Sequence, residues 1–169
     1  MSAMSGTGST TTLEHELVHV VAGRRAVGDL PAIATAALSA GRDTPGLREL
    51  AGAPQWDTDG LRALLRTAMA EIKLAASPWE AFTAVVREDI DDFREGRVGP
   101  GELGVRVEVL WRQLAGRRGA DRPGRETADA VTRIVGELEF LRWAYAEEEW
   151  TDAGEPVVAR LEAVLAQPT

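Results

Sequence analysis

The sequence predicts an all-α protein of about eight helices, packed as a single bundle or as a stack of antiparallel helix pairs. Three observations carry this. Apolar residues recur at three- and four-residue spacings along nearly the whole chain, the repeat that lines them up on one helix face. Ala, Leu, Glu and Arg dominate the composition, and these residues lose little or no side-chain freedom in a helix. Pro, Gly, Ser and Asp fall where helices should begin and end, with no alternating strand-like run between turn residues.

The elements follow in order. A first helix is expected over about 12–23, with Leu13, Leu17, Val20 and Val21 as its apolar stripe and Gly23 at its end. Asp29 is the expected cap of a second, which carries Pro31 in its first turn and Ile33, Ala37 and Leu38 inward, to Gly41. Thr44-Pro45 opens a short helix bearing Leu47 and Leu50 and closed by Gly52. Leu61, Leu64, Leu65, Ala68 and Ile72 form the next stripe. Ser77-Pro78-Trp79-Glu80 is a capping box with proline at the first helical position, so a fifth helix starts there and runs through Phe82, Val86, Ile90 and Phe93 to Gly96. Pro100 starts a sixth, with Leu103, Val107, Leu110 and Leu114 inward to Gly116. The longest helix is expected over about 126–150, and a last one from Glu155-Pro156 through Val157, Leu161, Val164 and Leu165.

Two stretches carry a resemblance: Leu30-Pro31-Ala32-Ile33-Ala34 through Asp43-Thr44-Pro45-Gly46-Leu47-Arg48-Glu49-Leu50-Ala51-Gly52, and Ile90-Asp91-Asp92-Phe93-Arg94-Glu95-Gly96-Arg97-Val98-Gly99-Pro100. They resemble segments of small all-helical actinobacterial proteins without an assigned activity. The resemblance covers about half of the chain. It implies a helical fold and carries over no functional residues.

The 169 residues suit one domain, expected over 12–169 behind a polar, uncharged and disordered tail at 1–11. With 27 acidic against 19 basic residues the formal net charge is −8, which disfavours nucleic acid and anionic membrane surfaces as partners. Arg112, Arg117, Arg118, Arg122 and Arg125 are locally basic, but Gly, Pro and Asp121 interrupt them and no aromatic offers a stacking surface, so they read as a solvated loop. No cysteine is present, which excludes disulfides and thiolate metal sites. No signal-like segment and no membrane-length apolar run occurs, so the expected location is cytoplasmic.

One motif carries chemistry. His15-Glu16-Leu17-Val18-His19 reads H-E-x-x-H, and both histidines of the chain lie in it. Residues four apart share a helix face, so two imidazoles can hold one zinc while Glu16 sits beside a metal-bound water as general base. The surroundings resemble the longer zincin pattern, with Thr12 three residues before and Val20-Val21 after. Lacking further His or Cys, the third ligand must be a carboxylate; Glu88 and Glu148, each followed four residues later by Asp, are the candidates. Against a zinc hydrolase, no strand precedes the motif to hold an extended peptide. On a helical wheel both histidines also point away from Leu13, Leu17, Val20 and Val21, so the pair is expected to face solvent without bound metal. Glu16-x-x-His19 is also half of a carboxylate-bridged di-metal site, but no histidine remains for the other half.

Asp89 falls among Phe82, Val85, Val86 and Phe93, and Arg142 among Val131, Val135, Leu138 and Tyr145, so a buried Asp89–Arg142 pair is expected. Of five tryptophans, Trp56, Trp79 and Trp150 are the candidates for a partner surface, and Trp111 reads as core. The Glu147-Glu148-Glu149 run reads as a solvated face. Together these observations favour a non-catalytic, regulatory or immunity-like binding protein with a protein partner and no cofactor. A zinc hydrolase on His15, Glu16 and His19 and a helical pocket for a small apolar ligand are the alternatives.

Overall fold

The computed structural model describes residues 12–116, 123–144 and 150–167, with the side chains of Arg142, Trp150 and Thr151 left aside. Among these residues there are eight α-helices and no strand. They are α1 (Leu13–Ala22), α2 (Leu30–Ser39), α3 (Pro45–Gly52), α4 (Thr58–Glu71), α5 (Pro78–Arg94), α6 (Pro100–Ala115), α7 (Arg125–Ala144) and α8 (Trp150–Leu165), with a 3-10 turn (Val27–Asp29) before α2. No helix among the described residues is long and apolar enough to cross a membrane.

Local signals place most of the helix starts. Thr44 Oγ1 accepts from the Leu47 N–H at the head of α3, and an Asp57 carboxylate oxygen accepts from Gly60 at the head of α4. At α5 the capping box is complete: Ser77 Oγ accepts from Glu80 N–H at 3.2 Å while Glu80 Oε2 accepts from Ser77 N–H at 2.7 Å. Two starts differ from expectation. Asp29 makes no side-chain cap, because the 3-10 turn has already drawn it into helical backbone. Pro156 lies inside α8 rather than at its first turn. Proline favours a helix start for want of an N–H, but Ala153 and Gly154 pack inward here, and that packing carries the helix back to Trp150.

The chain forms two compact units, Met1–Leu17 with Ala26–Leu74, and Val18–Arg25 with Ala75–Thr169. In the first, α3 packs on both α2 and α4. Its core holds Leu30, Ile33, Ala34, Leu47, Leu50, Leu61, Leu65 and Ala68. Gly46 lets α3 approach α4 closely: a Cβ there would stand 3.0 Å from the Ala68 Cα, and the Gly46 N–H donates to Glu71 Oε2 at 2.9 Å. Lys73, the sole lysine, ends α4 with φ +58°, a left-handed backbone that costs a side-chain-bearing residue about 1–2 kcal/mol.

The second unit is a four-helix bundle of α5 to α8 with the last turns of α1 added. Cross-helix contacts fix the directions. Trp111 Nε1 donates to Thr132 Oγ1 at 3.1 Å while Gly104 lies against Leu138, so α6 and α7 are antiparallel. Phe82 meets Trp111 while Asp89 and Asp92 meet Arg106, so α5 and α6 are too. The core holds Phe82, Val86, Ile90, Phe93, Leu103, Leu110, Leu138 and Leu161. Arg94 of α5 reaches Glu155 and Glu162 of α8, and its guanidinium holds the Glu162 carboxyl below the ordinary range.

Gly154 sits where α8 crosses Phe93, and a Cβ there would come within 2.7 Å of the ring. Gly136, exposed in the middle of α7, has nothing within 4 Å of such an atom. Alanine in an open helix position stabilises by roughly 0.5–1 kcal/mol relative to glycine, and overpacking costs roughly 1–3 kcal/mol. Gly136→Ala is therefore expected to raise the urea midpoint and Gly154→Ala to lower it. Equal shifts of one sign would mean that the α8–α5 crossing is not tight.

Candidate metal centre

The centre is built on α1 and α5. Thr12 opens α1 by accepting from the His15 N–H at 3.3 Å. At the other end the His19 carbonyl accepts from the N–H groups of Gly23, Arg24 and Arg25, at 3.1, 2.8 and 3.2 Å. Gly23 takes φ +91° to close this cap. The residue whose imidazole belongs to the motif thus also anchors the reversal of the chain after α1.

His15 and His19 ride on one uninterrupted helix, which sets their relation to each other irrespective of what packs on it. The His19 side chain is 15% exposed and its Nε2 lies 2.9 Å from Oε2 of Glu88, which is 45% exposed. One ligand atom from each of His15, His19 and Glu88 lies within 4.8 Å of the others. Four-coordinate zinc holds N and O donors at about 2.0–2.2 Å, which sets them roughly 3.3–3.5 Å apart. The observed spacing brackets that value, and two imidazoles with one carboxylate suit a borderline-soft divalent ion.

The expectation that the histidines face solvent is overturned: both are partly buried. Of the stripe opposite them, Leu13, Leu17 and Val20 are buried as expected, while Val21 belongs to another side. However, α1 has a second covered side, where Ala22 is buried and Val18 and Val21 pack on the bundle core. The histidines fall at the edge of that side. Of the two candidate third ligands the structure brings Glu88 to the motif; Glu148 lies outside the described residues. Glu16 is half-buried on α1.

One residue after Glu88, the Asp89 carboxylate is 1% exposed. Arg24, delivered by the turn at Gly23, meets both of its oxygens, with Nη1 3.2 Å from Oδ2. Arg106 of α6 donates to Oδ1 at 3.1 Å and to Asp92 Oδ2 at 3.0 Å. Among the described residues the guanidiniums at Asp89 are those of Arg24 and Arg106; the Arg142 side chain lies outside them. Arg24 escaped the sequence reading because it follows a helix cap and belongs to no stripe. Arg97 and then Arg106 hold the Asp92 carboxyl below its ordinary range.

The tryptophans separate clearly. Trp56 is 83% exposed, as a partner-surface residue would be. Trp79 is not a surface residue: it is 5% exposed and stacks on Phe82, because the capping box turns the first turn of α5 onto the core. Trp111 is core as expected, and the Trp150 side chain lies outside the described residues. Sequence reading passed over Trp143, which is 82% exposed, with exposed Phe140 beside it on α7 and Val105 and Val109 on α6. Their places off the apolar stripes of both helices were the available signal. Of the basic loop, 117–122 lies outside the described residues.

No protein family, curated protein or solved structure matches this chain.

Each of Arg24 and Arg106 leaves Asp89 one guanidinium when the other is removed, whereas losing both strands a buried charge. Arg24→Ala with Arg106→Ala is expected to destabilise by about 1–3 kcal/mol more than the sum of the single changes, measured by urea unfolding. Additive losses would show that the two arginines do not share the Asp89 charge.

Proposed function

We propose that this protein binds a divalent transition-metal ion of the zinc class through His15, His19 and Glu88. The observation that carries the reading is the gathering of their ligand atoms within 4.8 Å on α1 and α5. Two features support it. The chain has two histidines and both are in the group, although nothing in a helical core requires them together. The two elements bearing the donors are also secured next to the group, by the Gly23 cap at the end of α1 and by the Arg24–Asp89 pair. Such support holds donor rotamers close to a binding geometry.

A second reading, a binding protein with a protein partner, is favoured by a different observation. Val105, Val109, Phe140 and Trp143 expose large apolar side chains on the adjacent helices α6 and α7, and Trp56 does so in the other unit. Exposed tryptophan is enriched at interfaces. The two readings are compatible, since a metal site on α1 and α5 leaves these residues uncovered.

Tag-free, chelator-free protein is expected to bind one zinc per chain in calorimetric titration. His15→Ala, His19→Ala and Glu88→Ala are each expected to weaken binding by at least roughly 100-fold, the upper end of what losing a mere supporting partner costs. Circular dichroism on each variant checks that the fold persists. Binding well below one equivalent, or unchanged affinity in folded variants, would overturn the reading.

A further inference from the structure

The second unit holds a cavity of about 300 Å³, partly open to solvent, between the first half of α5 and the end of α8. We infer that it binds a small monocarboxylate with an apolar body. The carboxylate is received by Arg87 and the Thr83 hydroxyl, and the body lies against Trp79 and Leu165. The volume stands at the lower end of the range for small-molecule pockets, which suits a compact ligand.

The sequence builds the cavity from one strip of α5. Trp79, Thr83 and Arg87 follow one another at four-residue steps, so they line the same side of the helix over about 12 Å. Arg94, further along α5, reaches Glu155 and Glu162 of α8, whereas Trp79 and Thr83 share the cavity with Leu165. The two helices are therefore antiparallel, and the end of α8 lies over the first half of α5. Leu165 is 4% exposed and closes the apolar side, while Gln167, just past α8, adds an amide to the lining.

Thr83 marks the cavity as more than a packing gap. The residue is 8% exposed, and its hydroxyl oxygen is covered and makes no hydrogen bond. Helical threonines commonly satisfy this group on the carbonyl one turn back. Thr35 does so on Pro31 O at 2.7 Å, and Thr132 on Ala128 O at 2.9 Å. A covered hydroxyl without a partner costs stability, and in a cavity wall an incoming acceptor offsets that cost. Helical threonine has two accessible χ1 rotamers, so the hydroxyl can turn to such an acceptor without backbone movement.

The charges orient the ligand. Glu80, at the Trp79 end, accepts from the Ser77 N–H at 2.7 Å, and that bond holds its carboxyl in the ionised form. Arg87 stands about 10 Å further along the helix. The acid of α8 that feels its charge, Glu162, is hydrogen-bonded by Arg94 at 2.9 and 2.8 Å, and Arg87 adds only a smaller pull. The cavity is thus negative at one end and positive at the other, with Thr83 one turn from the positive end. A carboxylate has the planar pair of acceptors that a guanidinium matches, and lone pairs to spare for a hydroxyl. The indole and Leu165 then receive the apolar remainder.

The test titrates the full chain with 3-phenylpropanoate, with and without one equivalent of zinc, and follows backbone amides by two-dimensional NMR. Saturable shifts are expected in the first half of α5 and the end of α8, with a Kd of about 1 mM or tighter. The same Kd is expected in both samples, because the cavity shares no residue with the metal group. Arg87→Gln, and the uncharged amide of the probe on wild type, are each expected to bind roughly tenfold more weakly, the scale of one charge-assisted hydrogen bond. Thr83→Val keeps the shape of the side chain and is expected to raise the urea midpoint of the free protein while weakening the probe. A hydroxyl with only a structural role would lower the midpoint and leave the affinity unchanged, which would overturn the proposal. Absence of saturable shifts, shifts centred on other helices, or wild-type affinity in folded Arg87→Gln would also overturn it. Binding that requires zinc would place the carboxylate at the metal group instead, and an amide as tight as the acid would overturn the ligand class.

Discussion

A buried carboxylate sets the terms for the candidate site. Asp89 on α5 is 1% exposed, on a helix whose Phe82, Val86 and Phe93 lie in the core, and an uncompensated charge there would cost several kcal/mol. Two arginines answer it from different elements: Arg24 from the turn after α1 and Arg106 from α6. To reach Asp89, Arg24 needs α1 to stop at Gly23 and the chain to reverse. The requirement to neutralise one carboxylate therefore fixes where α1 ends and where it lies along α5. Such a pair adds little net stability against an apolar alternative, but it specifies register.

Register is also what brings the candidate metal ligands together. Glu88 is the neighbour of Asp89, and the His19 carbonyl is the acceptor that closes the Gly23 cap. A slip of α1 by one turn would break Arg24 from Asp89 and carry His19 about 5 Å away from Glu88. Two cross-links therefore reach α5 side by side: Arg24, in the turn after α1, to Asp89, and His19 of α1 to Glu88. The first joins a buried carboxylate to a partly exposed guanidinium, and the second joins a mostly covered imidazole to a nearly half-exposed carboxylate.

Most of the fold was legible in the sequence because its signals are local. The Ser77 capping box, the Thr44-Pro45 start and the helix ends at Gly23, Gly41 and Gly96 need only neighbouring residues to act. Departures arose at Asp29, already held in helical backbone by the 3-10 turn, and at Pro156, where inward packing of Ala153 and Gly154 carries α8 past it. The site was half legible. The spacing of His15 and His19 is a property of one helix and was read directly. Burial of those histidines depends on a second covered side of α1, around Ala22, which no single stripe reveals. The choice of Glu88 over other acids likewise depends on which helix meets α1. Trp79 shows the same limit: its first-turn position suggested exposure, and its stacking on Phe82 is a tertiary fact.

Lys73 closes α4 in a left-handed backbone conformation and is exposed. It is also the one lysine in a chain without cysteine. The protein therefore carries a single side-chain amine and no thiol competing for electrophiles. An amine-reactive dye directed at side chains is confined to one address, at a helix end whose position is fixed by its own cap. Trp56 is mostly exposed at the other end of the same helix, just ahead of Asp57. The first unit thus comes with a built-in optical pair, a native fluorophore and a unique attachment point separated by the length of α4.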